Sequence, residues 1–321
     1  MTESVSEAIA LWGWRGARGT LISRRENAVY RIIAPDGRKA ALRIHRMGYN
    51  TQGEIRSELW WAGELARVGI PTPRPIRRPD GTLVARLRSG RLASMVSWLE
   101  GRPLGSGSQP LSYPESRRQD LYRALGRLLA RLHRASDEMT LPHDFTRRRW
   151  NAAGLLGDNP LWGRFWDHPA LERADRADIL AARDSAARVL SGLDTTVGNG
   201  DFGLIHADAL RENVMLTDTG LALIDLDDSG FGWRLFDLAV ALSQSIDDDD
   251  YMALRDAILQ GYGEVRNPPA QGAEMFVLFA MLRCFASLGW CMSRMPPGST
   301  ASKVYVARAI RMARHWLQQD M

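Results

Sequence analysis

One change of apolar period divides this chain. Before residue 100 the strongest local signals are strands, and after residue 114 they are helices. Residues 28–34 and 40–45 are rich in β-branched and apolar side chains and flank Pro35-Asp36-Gly37, which predicts a β-hairpin. In residues 51–68, Ile55, Leu59, Ala62 and Leu65 recur at helical spacing, and Pro71 and Pro73 stop any continuation. Residues 82–87 and 92–99 read as two further strands. The stretch 100–114, rich in Gly, Pro and Ser, reads as a boundary. Beyond it, residues 115–133 and 169–190 have the amphipathic spacing of helices, joined by a connection carrying Trp150, Trp162, Phe165 and Trp166. Two short strands surround Asp218-Thr219-Gly220, and from Trp233 the pattern is helical nearly to the end. The expected fold class is α+β, with a small sheet lobe over residues 1–99 and a mostly helical lobe over residues 100–321 that holds one embedded hairpin.

Composition narrows the class further. A chain of 321 residues fits two domains or lobes. Its 45% apolar and 25% charged residues argue against disorder, collagen-like repeats and coiled coil. The net charge is +5, and Lys39 and Lys303 are the only lysines, so the positive charge is arginine spread along the whole chain. A nucleic-acid partner would need that charge on one face, and none is expected. The densest basic run, residues 147–149, is as consistent with a solvated loop as with a patch. No membrane association is expected either, because the most apolar stretch, residues 275–292, has Arg283 near its middle, as a buried helix allows and a span resists. The four acids 247–250 read as a favourable charge at the start of a following helix. Glu3 and Glu7 stand where a signal peptide is positive, and Cys284 and Cys291, seven residues apart on one helix, would lie about 10 Å apart, too far to bridge. A reducing cytoplasm is the expected compartment.

Several motifs fail on context. Residues 198–203 match GxGxxG but follow a helix and precede an apolar strand, the reverse of a dinucleotide site. GxxxxGK[ST], GxSxG, HExxH and paired CxxC do not occur. His45, His133, His143, His168 and His315 have no ligand spacing.

The constellation that carries chemistry is residues 204–216, LIHADALRENVML, followed by Leu221-Ala222-Leu223-Ile224-Asp225. With a turn centred on Thr219, Asn213 faces Asp225 across the hairpin, and a bulge at Gly220 would shift this register by one. Opposed β-carbons lie about 4.5–5.5 Å apart, so an amide oxygen and a carboxylate could share one Mg²⁺ at about 2.1 Å. Asp208, in the loop leaving the first strand, is then placed to orient and deprotonate a hydroxyl. This is a layout for phosphoryl transfer.

The pattern H-x-D-x-x-x-x-N at 206–213 and the I-D strand end at 224–225 resemble the protein-kinase-like phosphotransferases, the group holding aminoglycoside phosphotransferases, choline kinases, type II homoserine kinases and a bacterial stress-response kinase family. The resemblance implies a bilobal kinase-like fold, Asp208 as catalytic base, Asn213 and Asp225 as Mg²⁺ ligands, and ATP as cofactor. It extends to Arg43, on the strand that holds phosphate in the family, and to Glu58, on the helix that supplies its partner carboxylate. Most relatives carry Lys at the position of Arg43, and arginine is longer and planar. A plain exposed strand–helix ion pair is the alternative for Arg43 and Glu58. Residues 23–30 stand where the family has its nucleotide loop but lack its glycines, so backbone near Asn27 would cover the phosphates. Residues 93–101, with Val96 and Trp98, resemble the hinge whose backbone meets adenine, an edge strand being the alternative. Asp237 matches an acid that holds the catalytic loop, and His206 reads as a brace for that loop.

The resemblance thus implies an ATP- and Mg²⁺-dependent transferase acting on a hydroxyl of a small, amine-bearing molecule. Asp227 points as Asp225 does under strand alternation, so it could contact metal or substrate. Together with Asp228, Trp150, Trp162 and Trp166 it would supply negative charge and aromatic faces for a cationic acceptor, unless those tryptophans belong to the core. A serine/threonine protein kinase of the stress-response type and a nucleotide-binding pseudokinase are the alternatives.

Overall fold

The computed structural model describes residues 3–24, 27–107, 109–193, 201–268 and 272–319. The chain forms two compact units, one of Met1–Arg102, Met139–Arg147 and Met215–Asp227, the other of Pro103–Glu138, Arg148–Val214 and Asp228–Met321.

The first unit is built on a five-stranded antiparallel sheet in the order β1-β2-β3-β5-β4. Its strands are β1 (Arg18–Arg24), β2 (Ala28–Ile33), β3 (Lys39–Ile44), β4 (Val84–Arg86) and β5 (Leu92–Ser97). The expected hairpin is β2–β3. Its turn needs Gly37, whose φ of +83° suits a residue without a β-carbon. Helix α2 (Gln52–Arg67) begins with a capping box, in which Thr51 and Glu54 satisfy each other's backbone amides. Its apolar face places Ile55 and Leu59 against Val84. Two elements of this unit escape the sequence reading. Helix α1 (Glu3–Leu11) buries Val5, Ala8 and Ile9 in one cluster with Ile32, Leu42 and Met95. Strand β1 is a sheet edge whose Leu21 and Ile22 are 47% and 51% exposed, so it shows no in–out alternation to read.

The short strand β6 (Arg102–Pro103) spans the point where the chain passes from the first unit to the second, and β9 (Val214–Thr217) and β10 (Gly220–Leu223) form the embedded hairpin. The second unit is mostly helical. It carries α3 (Glu115–Asp137), the short α4 (Ala152–Leu156), α5 (Arg173–Ser191), α6 (Arg234–Leu242), α7 (Tyr251–Gly263), α8 (Gly272–Met292) and α9 (Thr300–Gln319). A small sheet in the order β7-β11-β8 joins β7 (Arg148–Trp150), β8 (Phe202–Ile205) and β11 (Gly230–Trp233). Helices α3 and α7 meet backbone to backbone, since a β-carbon on Gly261 would fall 1.9 Å from the carbonyl oxygen of Arg123. Within α8, residues Met275–Met292 are long and apolar enough to cross a membrane, but 72% of that window is buried in the fold.

The acids before α7 stand at the helix start with Asp250 at the N-cap position, and they also form ion pairs: Asp247 binds Arg308 at 2.6 Å, Asp248 binds Arg211 at 2.9 Å, and Asp250 binds Arg118 at 3.0 Å without a side-chain cap bond. Two expectations need correction. Residues 147–149 are not a solvated loop. Arg147 is buried, Arg148 pairs with Asp228 at 2.8 Å, and Arg149 lies over Phe202 and Phe231. Trp150 is a core residue stacked on Phe236, while Trp162 and Trp166 take the chain's own Arg283 and Arg183 on their faces. Of the GxGxxG match, Gly198, Asn199 and Gly200 lie outside the described residues.

Candidate active site

In the second unit, the fully buried strand β8 delivers the loop that begins at His206. The loop turns sharply because Ala207 adopts a left-handed conformation, with φ of 62°, which a residue bearing a β-carbon rarely takes. Asp237 on α6 holds that turn, its carboxylate accepting from the amides of His206 at 2.9 Å and Ala207 at 2.7 Å. It is braced in turn by His133 of α3 at 3.0 Å, whose other ring nitrogen meets Tyr262. Burial would raise the Asp237 carboxyl, but the hydrogen bond and charge of His133 and the loop amides hold it below the usual range. The His206 ring accepts the amide of Asp208 at 3.2 Å, which makes it a brace, as expected. Asp208 follows the strained turn. Its Oδ1 accepts from Arg283 Nη2 at 2.9 Å and its Oδ2 from Asn213 Nδ2 at 2.9 Å. Asn213 Nδ2 also donates to the Asp208 carbonyl at 2.8 Å. The amide nitrogen of Asn213 is therefore committed to the loop, and its oxygen is the end suited to a cation.

In the first unit, the Arg43 guanidinium on β3 forks. Nη1 meets Glu58 Oε1 at 2.6 Å, Nη2 meets Asp225 Oδ1 at 2.8 Å, and Nη1 is 3.7 Å from Asp227 Oδ1. Burial would lower the Arg43 pKa, but Glu58, Asp225 and Asp227 outweigh it and raise it further above an already high value. Burial pushes the Glu58 carboxyl up against the pull of Arg43. Glu58 is buried and Arg43 only 16% exposed, so the exposed-ion-pair alternative does not hold. Asp225 is also left-handed, at φ 65°, and its side chain is 43% exposed. Asp227 is buried and accepts from Asn27 Nδ2 and Asn50 Nδ2, each at 3.0 Å. Burial would raise its carboxyl, yet Arg43, His45, Arg147 and the Asn27 bond keep it below the usual range. Arg147 donates to the carbonyls of Leu226 at 3.1 Å, Asp227 at 2.7 Å and Glu54 at 3.1 Å, tying the segment after β10 to the start of α2. His45 sits among these groups, pushed down to about 3 by burial and by Arg43.

Sequence spacing and structure differ in how they present these residues. The ladders of β9 and β10 stop at Val214 and Leu223, so neither Asn213 nor Asp225 is a strand residue, and alternation does not govern where Asp225 and Asp227 point. Strand β5, which carries Val96, is interior, between β3 and β4, so the edge-strand alternative fails. Val96 pairs with Ala41 on one side and bridges to Pro75 on the other. The Trp98 amide donates to Lys39 O at 3.3 Å and its indole to Glu100 at 3.3 Å. Asn27 does not stand alone: its oxygen accepts the Arg46 amide at 3.0 Å. Arg25 and Glu26 of the expected nucleotide loop lie outside the described residues. Asn50, Arg147 and Arg283 were not anticipated as site residues. The one available signal is Arg283, the single charge in the apolar stretch 275–292.

The model of the phosphotransferase enzyme family matches residues 19–274, which takes in both groups of side chains. The chain belongs to that family. A homoserine kinase from Sinorhizobium medicae is 32% identical over 247 residues, 74% of this chain and 69% of the relative. The structure of a microcompartment-associated aminopropanol kinase superposes with a TM-score of 0.86 at 27% identity, covering 98% of this chain and 97% of the other. An amicoumacin kinase in complex with AMP-PNP, Ca²⁺ and Ami shares the fold, with a TM-score of 0.78 at 18% identity over 98% of this chain and 92% of the other. The fold is thus the α+β protein-kinase-like one, and this phosphotransferase is a kinase acting on a hydroxyl.

A family member's nucleotide implies a divalent cation, and the donor chemistry here fits one. Among the described residues no cluster of three or more His, Cys, Asp or Glu side chains could hold a metal. Mg²⁺ does not need such a cage, because it keeps waters and takes one or two protein oxygens beside substrate phosphates. The Asn213 amide oxygen and the half-exposed Asp225 carboxylate are donors of that kind.

Proposed function

We propose that this phosphotransferase moves the γ-phosphate of ATP, with Mg²⁺, to a hydroxyl of a small amine-bearing molecule of the homoserine, amino-alcohol, choline or aminoglycoside type. The observation that carries the reading is the Asp208 carboxylate, held on both oxygens at the end of a strained, Asp237-braced turn. In this reading Asp208 orients the acceptor hydroxyl and takes its proton. The hydroxyl oxygen forms the new bond to the γ-phosphorus while the bond to the β-phosphate bridging oxygen breaks, giving a phosphate ester, ADP and one proton.

Asn213 and Asp225 are assigned as the protein ligands of Mg²⁺, which when bound supplies positive charge to the phosphate oxygens. Arg43, set by Glu58, positions phosphate. Backbone at Asn27 covers it, and the segment of Val96 and Trp98 meets adenine. Asp227, buried and held on both oxygens by Asn27 and Asn50, is assigned to anchoring the segment beside Asp225 rather than to the acceptor. Buried, unpaired Cys284 and Cys291 support action in a reducing cytoplasm.

The test is ADP release by the purified protein with Mg²⁺ and ATP against homoserine, 1-amino-2-propanol, choline, aminoglycosides and a serine-containing peptide. Stimulation by one of the small amines is expected, and Asp208→Asn should reduce it about 100- to 10,000-fold while keeping ATP binding. Phosphorylation of the peptide alone would move the assignment to a protein kinase. Near-normal turnover in Asp208→Asn would remove Asp208 from the chemistry.

A further inference from the structure

Among the described residues, helix α8 carries the stretch Met275–Met292 that is long and apolar enough to cross a membrane, and in the middle of it Arg283 is only 4% exposed. A guanidinium in such surroundings is strongly unfavourable unless it is paired. Its partners are specific. Nη2 donates to Asp208 Oδ1 at 2.9 Å, Nη1 donates to the Ala207 carbonyl at 3.2 Å, and the guanidinium carbon lies over the Trp162 ring, 4.9 Å from its centroid. Arg283 thus grips the strained residue of the loop and the carboxylate that follows it with two arms of one rigid fork. Asn213 holds the other carboxylate oxygen at 2.9 Å. A donor on each oxygen restrains the plane of the carboxylate, and Trp162 restricts the arginine itself.

We infer that Arg283 is a positioning residue for phosphoryl transfer, fixing the plane of the Asp208 carboxylate and the backbone turn before it. The inference rests on the reading of Asp208 as the group that orients the acceptor hydroxyl. Lysine would not do the same work, because a single ammonium cannot present two parallel donors to a carbonyl and a carboxylate in fixed geometry.

The experiment is a double-mutant cycle on the full chain, measuring ADP release with Mg²⁺ and ATP, both with water as acceptor and with homoserine. The variants are Arg283→Met, Arg283→Lys, Asp208→Asn and the Arg283→Met/Asp208→Asn pair. Misplacing a reacting group typically costs about 100-fold. Arg283→Met should therefore lower kcat by about that factor with the KM for ATP unchanged, and Arg283→Lys should fall between it and the parent. The loss should vanish when Asp208 is already Asn, an outcome that a purely structural role for Arg283 would not produce. If Arg283→Met does not fold, Arg283→Lys decides: a lowered kcat at unchanged KM for ATP supports the inference. Parent-level kcat in Arg283→Lys, or an undiminished loss in the Asp208→Asn background, overturns it. Full turnover in Asp208→Asn would instead overturn the reading of Asp208, which is a separate result.

Discussion

Arg43 and Glu58 are joined at 2.6 Å, with the carboxylate only 4% exposed, so strand β3 and helix α2 share one buried charge pair. The same guanidinium reaches Asp225 at 2.8 Å, and a single arginine therefore links the helix carboxylate to the proposed metal ligand.

Replacing that arginine separates charge from shape. Arg43→Met leaves Glu58 buried without its cation, and breaking a buried pair costs about 3–5 kcal/mol. It should lower the melting temperature and raise the KM for ATP. Arg43→Lys keeps the charge but cannot span both carboxylates, so it should keep the fold and retain partial activity. Thermal melts and ATP titrations of the two variants check this, and parent-like kinetics in Arg43→Met would make the residue purely structural.

Asp225→Asn keeps a side chain that tolerates the left-handed backbone while removing the charge. The fold should survive and activity should need more Mg²⁺. Asn213→Ala should act twice, shifting the Mg²⁺ requirement and lowering kcat, because Asn213 also holds Asp208. Activity against Mg²⁺ concentration measures both. An unchanged Mg²⁺ profile in the two variants would remove them as ligands.

Asp227 discriminates anchoring from acceptor binding. If it is an anchor for Asn27, Asn50 and the neighbourhood of Arg43, Asp227→Ala should destabilise the protein by several kcal/mol, as loss of a buried, hydrogen-bonded charge does. A raised acceptor KM with an unchanged melting temperature would show that it meets the substrate instead.

Acid should destabilise the fold through its buried histidines. His133 is pushed down to about 4 by burial and by Arg234, from an ordinary value of 6.5. A group whose folded pKa is depressed takes its proton first in the unfolded chain. Stability should therefore fall as pH drops from about 6.5 and level off below about 4, at a cost of order 3 kcal/mol for this one residue. Denaturant melts across pH 4–7 should show that slope, and a flatter one in His133→Gln. The same slope in His133→Gln as in the parent would assign the effect elsewhere.

What the sequence determined by itself is local. Pro35-Asp36-Gly37 turns a hairpin, Thr51 and Glu54 start a helix, and H-x-D-x-x-x-x-N places an acid and an amide on one loop, because turn chemistry, capping and apolar period act between neighbours. The edge strand β1 was silent for the same reason, having no buried face to impose a pattern. Only the tertiary structure decided the partners. Asn50 meets Asp227 from 177 residues away, Arg147 from 80, and Arg283 reaches Asp208 across 75. In sequence Asp225 and Asp227 look equivalent, two residues apart on one strand. In the fold the strand ends at Leu223 and the backbone turns left-handed at Asp225, leaving one carboxylate half-exposed and the other enclosed by two amides. Burial and long-range pairing, which no local spacing encodes, set that difference.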